Sequence, residues 1–508
     1  MSLNLVDLIA FFAFIAFVVA VSIGASRRQK TGRDYFLAGR ALPWWLIGFS
    51  LIASNISTEH FVGMAGRGYD LGLAIASYEW MAAVTLVVVG LLFLPRFLRA
   101  GIYTIPEYLE YRYGVAARTL MSVYMMLAYI FVALATVLYS GALALEAIFG
   151  LEIGLGIWLI GLLAGAYTIY GGLRAVVWSD LIQGLALLLG GALVTWLAFD
   201  RIGGLDAFLA TSGDKLHTVL PASHPEMPWV AVFFGGLWIP NLFYWGLNQF
   251  ITQRTLAARS LRDGQRGIML AAAIKLVIPF VIVFPGIMAA TLFPDQIATG
   301  DQAYPVLIRE LLPAGLSGIL FAALFGAVMS TLDSLLNSAA TIFTMDLYTR
   351  HFHRGASAER QIVVGRAATA VLVLAGCLWA PVVAAAGSVF TYIQMFWGFI
   401  SPGIVAVFVF GMLWWRVPQA AAVGAMLLGL PVYGALLWLL PEVAFLHHMA
   451  ITFLVLGLWI AAVTLASPLR ERRRLPQPVD FDATPSRSAW WAGGAVVLAT
   501  AALYVIFW

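Results

Sequence analysis

Runs of about twenty apolar residues recur from one end of this chain to the other, and nothing constrains its fold more. A run of that length crosses the hydrocarbon core of a bilayer as a helix, whereas a membrane β-strand would show about ten residues of alternating character. In lipid each backbone N–H and C=O must be satisfied within its own helix or around a closed barrel, so run length selects helices. Composition agrees: of 508 residues, 62% are hydrophobic and 11% charged, where a soluble domain carries about 25% charge. The expectation is an all-α polytopic membrane protein of about fourteen transmembrane helices. The spans fall near 4–24, 44–66, 74–98, 118–148, 152–169, 176–200, 229–252, 267–292, 313–346, 364–385, 388–413, 417–439, 446–467 and 488–507.

The first run, Leu5 to Ile23, has Asp7 near its start and no basic segment ahead of it; Arg27, Arg28 and Lys30 follow it. That order marks a retained helix with its N-terminus outside, not a cleaved leader. Carried along the chain, this arrangement puts 24 of the 29 Lys and Arg residues in cytoplasmic loops, including Arg174 and the groups in 253–266 and 347–366. Arg67, Arg201, Lys215 and Arg309 fall outside, and Lys275 lies within a span. The asymmetry predicts an even number of passes and both termini on the outer side.

Several function classes drop out. There is no phosphate-binding G-x-x-x-x-G-K-[ST] loop to drive transport with ATP. The single cysteine, Cys377 in VLVLAGCLWA, excludes an intrachain disulfide and any Cys/His metal cluster. The longest loops, near 201–228 and 468–487, are too short for a catalytic domain, and no nucleophile or paired-acid motif points to an enzyme. No nucleic-acid partner is expected; the lipid bilayer is the surrounding medium.

Polar groups within spans are costly and mark function by default. In WWLIGFSLIASNISTEHFVGMAG, residues Ser54, Asn55, Ser57, Thr58, Glu59 and His60 interrupt the second span. In VAVFFGGLWIPNLFYWGLNQF, residues Gly235, Gly236 and Pro240 interrupt the seventh, followed by Asn241. Two broken helices at distant points of one chain are the sequence sign of a transporter site, with freed carbonyls for a cation and half-helix ends for a solute; a proline kink satisfied by its neighbours is the plainer reading. Glu79 on the third span and Lys275 on the eighth suit a structural ion pair, or an acceptor and donors for the hydroxyls of an uncharged polyol. In GAVMSTLDSLLNSAATIFT, Ala327, Ser330, Thr331 and Ser334 share one helical face. Such a face serves helix packing or, with Asp333 beside it, a hard monovalent cation. Asp180 ends a span in YGGLRAVVWSD. Tyr392 and Gln394 precede a Ser-Pro-Gly break, and Met64, Tyr78, Phe390, Tyr244 and Trp245 are candidate aromatic or apolar lids for a sugar ring.

These residues also carry a resemblance. GLAIASYEWM, GIYTIPEYLE, IYGGLRAVVWSD, NLFYWGLNQFITQRTLAARS, QAYP and LLNSAATIFTMDLY occur in order through essentially the whole chain, which resembles the sodium:solute symporter family. The resemblance implies a LeuT-like core of two inverted five-helix repeats in a bacterial inner membrane. The expected parts are an additional helix and loop (1–43), the first repeat (44–200), the second repeat (201–413) and three peripheral helices (414–508). It implies sodium as the coupling ion and a monosaccharide as the solute, moved by alternating access. The implied sodium ligands are the carbonyls of Ala53, Ile56 and Ala327 with the hydroxyls of Ser330 and Thr331. The implied sugar site is His60, Glu79, Asn241, Lys275 and Gln394. Tyr244 would be the inner gate held by Asn55, and Met64, Tyr78 and Phe390 the outer lid. Asp180 resembles a residue on the cytoplasmic sodium exit path.

The chain departs from that pattern at three places. His60 and Ala82 stand where the family's galactose carrier has a glutamine and a serine, which leaves the identity of the sugar open. Asp333 replaces an alanine, and with Asp180, Ser330 and Ser334 it forms a candidate second cation site. Two other readings fit the residues: symport of another small polar solute such as inositol, and proton coupling through Asp333, Glu59 or His60.

Overall fold

In the computed structural model, residues 5–26, 38–383, 389–473, 475–476 and 481–508 are described, and every extended element among them is helical. Arg27, Arg28 and Lys30 lie outside the described residues, as does the side chain of Arg174. Eleven helices among the described residues are long and apolar enough to cross a membrane, and Leu5–Val21 and Ile153–Ala166 are shorter apolar helices. The chain is a multi-pass membrane protein. The expected count of about fourteen differs partly because the second span stops short at its break: Trp44–Asn55 is 12 residues long.

Seven helices carry many of the interior polar residues: α1 (Trp44–Asn55), α2 (Ser77–Val88), α3 (Ile153–Ile202), α4 (Gln249–Leu256), α5 (Leu261–Leu292), α6 (Leu316–Ile342) and α7 (Val389–Leu413). The 50 residues of α3 would reach about 75 Å if straight, more than twice the hydrocarbon thickness. Its neighbours on α6 show that it doubles back. Ile160 and Val328 both abut Gly141, Thr168 bonds Asp333, Asp180 accepts from Ser330, Gln183 lies on Gly326, and Gly190 lies on Leu320. Read along α3, the contacts climb α6 to Asp333 and then descend it. The stretch is therefore two antiparallel passes with their reversal between Thr168 and Asp180.

Both interrupted helices are broken. α1 ends where Ile56 turns extended (φ −76°, ψ 100°), and the chain resumes as a wide π-helical turn, Glu59–Met64, continuing into Ala65–Leu71. Gly72 then takes φ +80°, and a Cβ there would stand 2.3 Å from the Lys215 carbonyl, so both backbone and space demand glycine. The seventh span opens at residues 234–237, where a Cβ on Gly236 would sit 1.7 Å from the Leu446 carbonyl. Pro240 does not make this break: it lies inside Trp238–Leu242, in the first turn, where its missing N–H costs no bond. A second break falls at Asn248 (φ −84°, ψ 121°), ahead of α4. Asn248 holds it, accepting from Tyr129 Oη at 2.6 Å on its side chain and from the amide of Thr252 at 3.0 Å on its carbonyl. The expected Ser-Pro-Gly break is absent; Pro402 sits within the continuous α7.

Candidate functional site

The two breaks face one another across a cavity that residues from four segments line. From the first broken helix come Asn55, Glu59, His60 and Met64; from α2, Tyr78 and Glu79; from the second broken helix, Pro240, Asn241, Tyr244 and Trp245; from α7, Phe390, Ile393, Gln394 and Trp397. The wall alternates aromatic faces with polar ends, a combination that packs on the apolar face of a ring and bonds its edge. Tyr392 points elsewhere, donating to the Phe131 carbonyl at 2.9 Å.

Lys275 departs from its expected place. It is wholly buried and lies behind the wall rather than in it. Its ammonium donates to Glu79 Oε2 and Asn55 Oδ1 and stands 4.8 Å from the centre of the Trp245 ring. A buried charge needs a partner, and this one uses its donors to hold the site residues. Glu79 Oε1 lies 3.4 Å from His60 Nε2. Two nitrogens remain over: His60 Nδ1 and Asn241 Nδ2 are buried and meet no partner, although their residues line the cavity. Leaving such groups unpaired costs about 1–3 kcal/mol each.

The gate residues meet in pairs. Asn55 Nδ2 donates to Tyr244 Oη at 3.0 Å. Tyr78 and Phe390 pack edge to face with ring centres 4.9 Å apart, and Met64 lines the space beside them.

The residues expected to hold cations lie where α1, α3, α4 and α6 meet. Beyond the end of α1 the amide of His60 donates to Ser57 O at 3.0 Å rather than to Ile56 O, which frees the Ile56 carbonyl. Ala53 packs on Gly184 of α3. On α6, Ala327 is buried and Thr331 Oγ1 is buried without a partner. Ser330 is already engaged, its hydroxyl donating to Asp180 Oδ1. Asp180 Oδ2 accepts from Ser50 at 2.7 Å, Ser54 at 2.9 Å and Arg254 Nη2 at 2.9 Å. Arg254 in turn reaches Ser334 Oγ at 2.6 Å and Ser50 Oγ at 2.7 Å.

That geometry corrects the candidate second cation site. A guanidinium occupies the centre of Asp180, Ser330 and Ser334, and Asp333 turns away to accept from Thr168 at 2.5 Å. Sequence reasoning counted Arg254 among loop cations, yet it is 1% exposed. The signal was present: Ser50 and Ser54, like Ser330 and Ser334, are hydroxyl pairs at helical spacing, and an aspartate between two such faces needs a cation.

Compared with known proteins, the chain matches the model of the sodium:solute symporter family over residues 35–429. It is similar to the sodium/glucose cotransporter of Vibrio parahaemolyticus, 41% identical over 100% of this chain and 99% of that one. It is also similar to sodium/myo-inositol cotransporter 2 of Sus scrofa, 36% identical over 84% of this chain and 68% of the relative. Among solved structures, a substrate-bound, outward-open Na⁺-coupled sialic acid symporter shares the fold, with a TM-score of 0.81 and 24% identity over 93% of this chain and 100% of that one. A nucleobase-cation-symport-1 family transporter shares it more distantly, with a TM-score of 0.56 and 16% identity over 86% of this chain and 96% of that one.

Proposed function

The chain belongs to the sodium:solute symporter family, and on that footing we propose that it couples inward sodium flow to uptake of a monosaccharide across a bacterial plasma membrane. The observation that carries this reading is the cavity between two broken helices, where the buried, unpartnered nitrogens of His60 and Asn241 stand beside the Glu79 carboxylate and the Gln394 amide. An uncharged polyol satisfies such a set, because each hydroxyl both donates and accepts.

Sodium binds, in this reading, to the carbonyls of Ala53, Ile56 and Ala327 and to the hydroxyls of Ser330 and Thr331; the orphaned Thr331 hydroxyl supports the assignment. An ion there braces the broken second span against α6. That bracing keeps Asn55 and His60 in place for the sugar, so ion and solute favour one another's binding. Tyr78, Phe390 and Met64 close one mouth, and Tyr244, released from Asn55, opens the other. Lys275 acts as a support that orients Glu79. In this reading the passes number about fourteen, with both termini outside and inverted repeats at 44–200 and 201–413, flanked by 1–43 and 414–508.

One sodium falling through about 100 mV gains roughly 2.3 kcal/mol, and a tenfold gradient adds about 1.4 kcal/mol, enough for several-hundredfold accumulation of solute. Inositol symport is the second reading, favoured by the similarity to sodium/myo-inositol cotransporter 2. Counterflow in proteoliposomes with hexoses and inositols, with and without sodium, tests both. Sodium-dependent exchange of a hexose is expected, and exchange of inositol alone would select the second reading.

A further inference from the structure

The charge balance around the cavity leaves one carboxylate over. Glu79 has Lys275 and His60 beside it. Glu59, the first residue of the wide turn after the break, lines the same cavity and is only half-buried. Its Oε1 accepts from Thr136 at 3.0 Å, and among the described residues no Lys, Arg or His pairs with it. The ammonium of Lys275 is committed to Glu79 and Asn55 and does not line the space. A carboxyl group lining a solute cavity at membrane depth, with no cation of the protein beside it among the described residues, ionises only at a cost that a ligand cation would offset. Around it the ring nitrogen Nδ1 of His60 and the amide nitrogen of Asn241, on residues 8% and 7% exposed, are buried and have no partner in the protein.

We propose that Glu59 is a second recognition carboxylate, which makes this cavity favour a hexose bearing a protonated amine over its neutral parent. The inference rests on the reading of the cavity as a monosaccharide site. A hydrogen bond between ammonium and carboxylate is about twice as strong as one between neutral groups, and among the described residues no Lys or Arg lines the wall to repel the amine.

Glucosamine and glucose, which differ only in the amine, are compared as competitors of labelled hexose counterflow in proteoliposomes. Glucosamine is expected to half-inhibit at about one-tenth the glucose concentration while its amine is protonated, and to lose that advantage as pH rises past the titration of the amine. In Glu59→Gln the ratio of the two half-inhibition constants should shrink about tenfold; a ratio within one variant is unaffected by any general loss of uptake. Should that variant fail to insert, the comparison in the wild-type protein decides by itself. Hexose exchange with no preference for the amine overturns the role of Glu59 alone, as does hexose uptake driven by a proton gradient. Absence of exchange for every monosaccharide overturns this role and the symport reading together.

Discussion

Two buried polar clusters share the first broken helix and follow opposite rules. In the cluster around Asp180, the carboxylate receives bonds from Ser50, Ser54, Ser330 and Arg254, and Arg254 also reaches Ser334 and the Phe250 carbonyl. Around the cavity, His60 and Asn241 each keep an unpartnered nitrogen, and Glu59 accepts from Thr136 with no cation paired to it among the described residues. A polar group at membrane depth is expensive. Where every bond is made, the cluster ties helices together; where bonds are withheld, the deficit is what the proposed solute would fill. Thr331, orphaned on the helix that carries Ser330 and Ser334, lies between the two behaviours, which is where the proposed cation would add the missing contact.

The contrast breaks most directly at Lys275. Lys275→Met strands the buried Glu79 carboxylate, a change that costs about 3–5 kcal/mol, and labelled-sugar uptake should fall more than about 100-fold. Glu79→Gln with Lys275→Met should restore the thermal stability of purified protein without restoring uptake; recovered uptake would mean that the pair is not part of the solute site. Arg254→Gln should cut uptake by about 10- to 100-fold through the stranded Asp180. Adding Asp180→Asn should return stability, with a coupling of about 1–3 kcal/mol in a thermal double-mutant cycle. Additive effects would dissolve the cluster as a unit.

Smaller effects sharpen the boundary between the clusters. Thr331→Ala should raise the sodium concentration for half-maximal uptake about tenfold, and Ser330→Ala only about threefold, since Ser330 already donates to Asp180. Equal shifts would erase the distinction. The smallest effect lies outside both clusters, at Asp301 in the loop before Ala303. Burial, then the neighbouring Asp70 carboxylate, pushes its carboxyl up to about 6 against the pull of Arg67. The folded state thus holds the proton more tightly than the unfolded chain, so this contribution to stability is present in acid and is lost as pH rises through about 6. Asp301→Asn should raise Tm by about 1–3 °C at pH 8 and leave it unchanged near pH 4 in thermal unfolding.

Much of the site was legible because a membrane makes polar residues conspicuous. Asn55, His60, Glu79, Asn241 and Gln394 stood out against apolar runs, and the structure gathers all five around one cavity. Glu59 was equally visible but was read only as a proton carrier, because a carboxylate's role depends on whether a cation faces it. The second break, at Asn248, was missed: asparagine is no helix breaker by composition, and its backbone geometry is held by Tyr129, 119 residues earlier.

What the amino-acid order determined unaided was the solvent, the helices, the two interrupted spans and the list of polar residues inside them, because each follows from runs of about twenty residues or fewer. Only the tertiary structure decided pairing. Lys275 went behind Glu79 instead of into the cavity wall, Arg254 left its expected loop for Asp180, and Asp333 turned to Thr168. Each partner lies on another helix, 74 to 196 residues away, and which faces meet depends on how the helices rotate and pack, information that no local window contains.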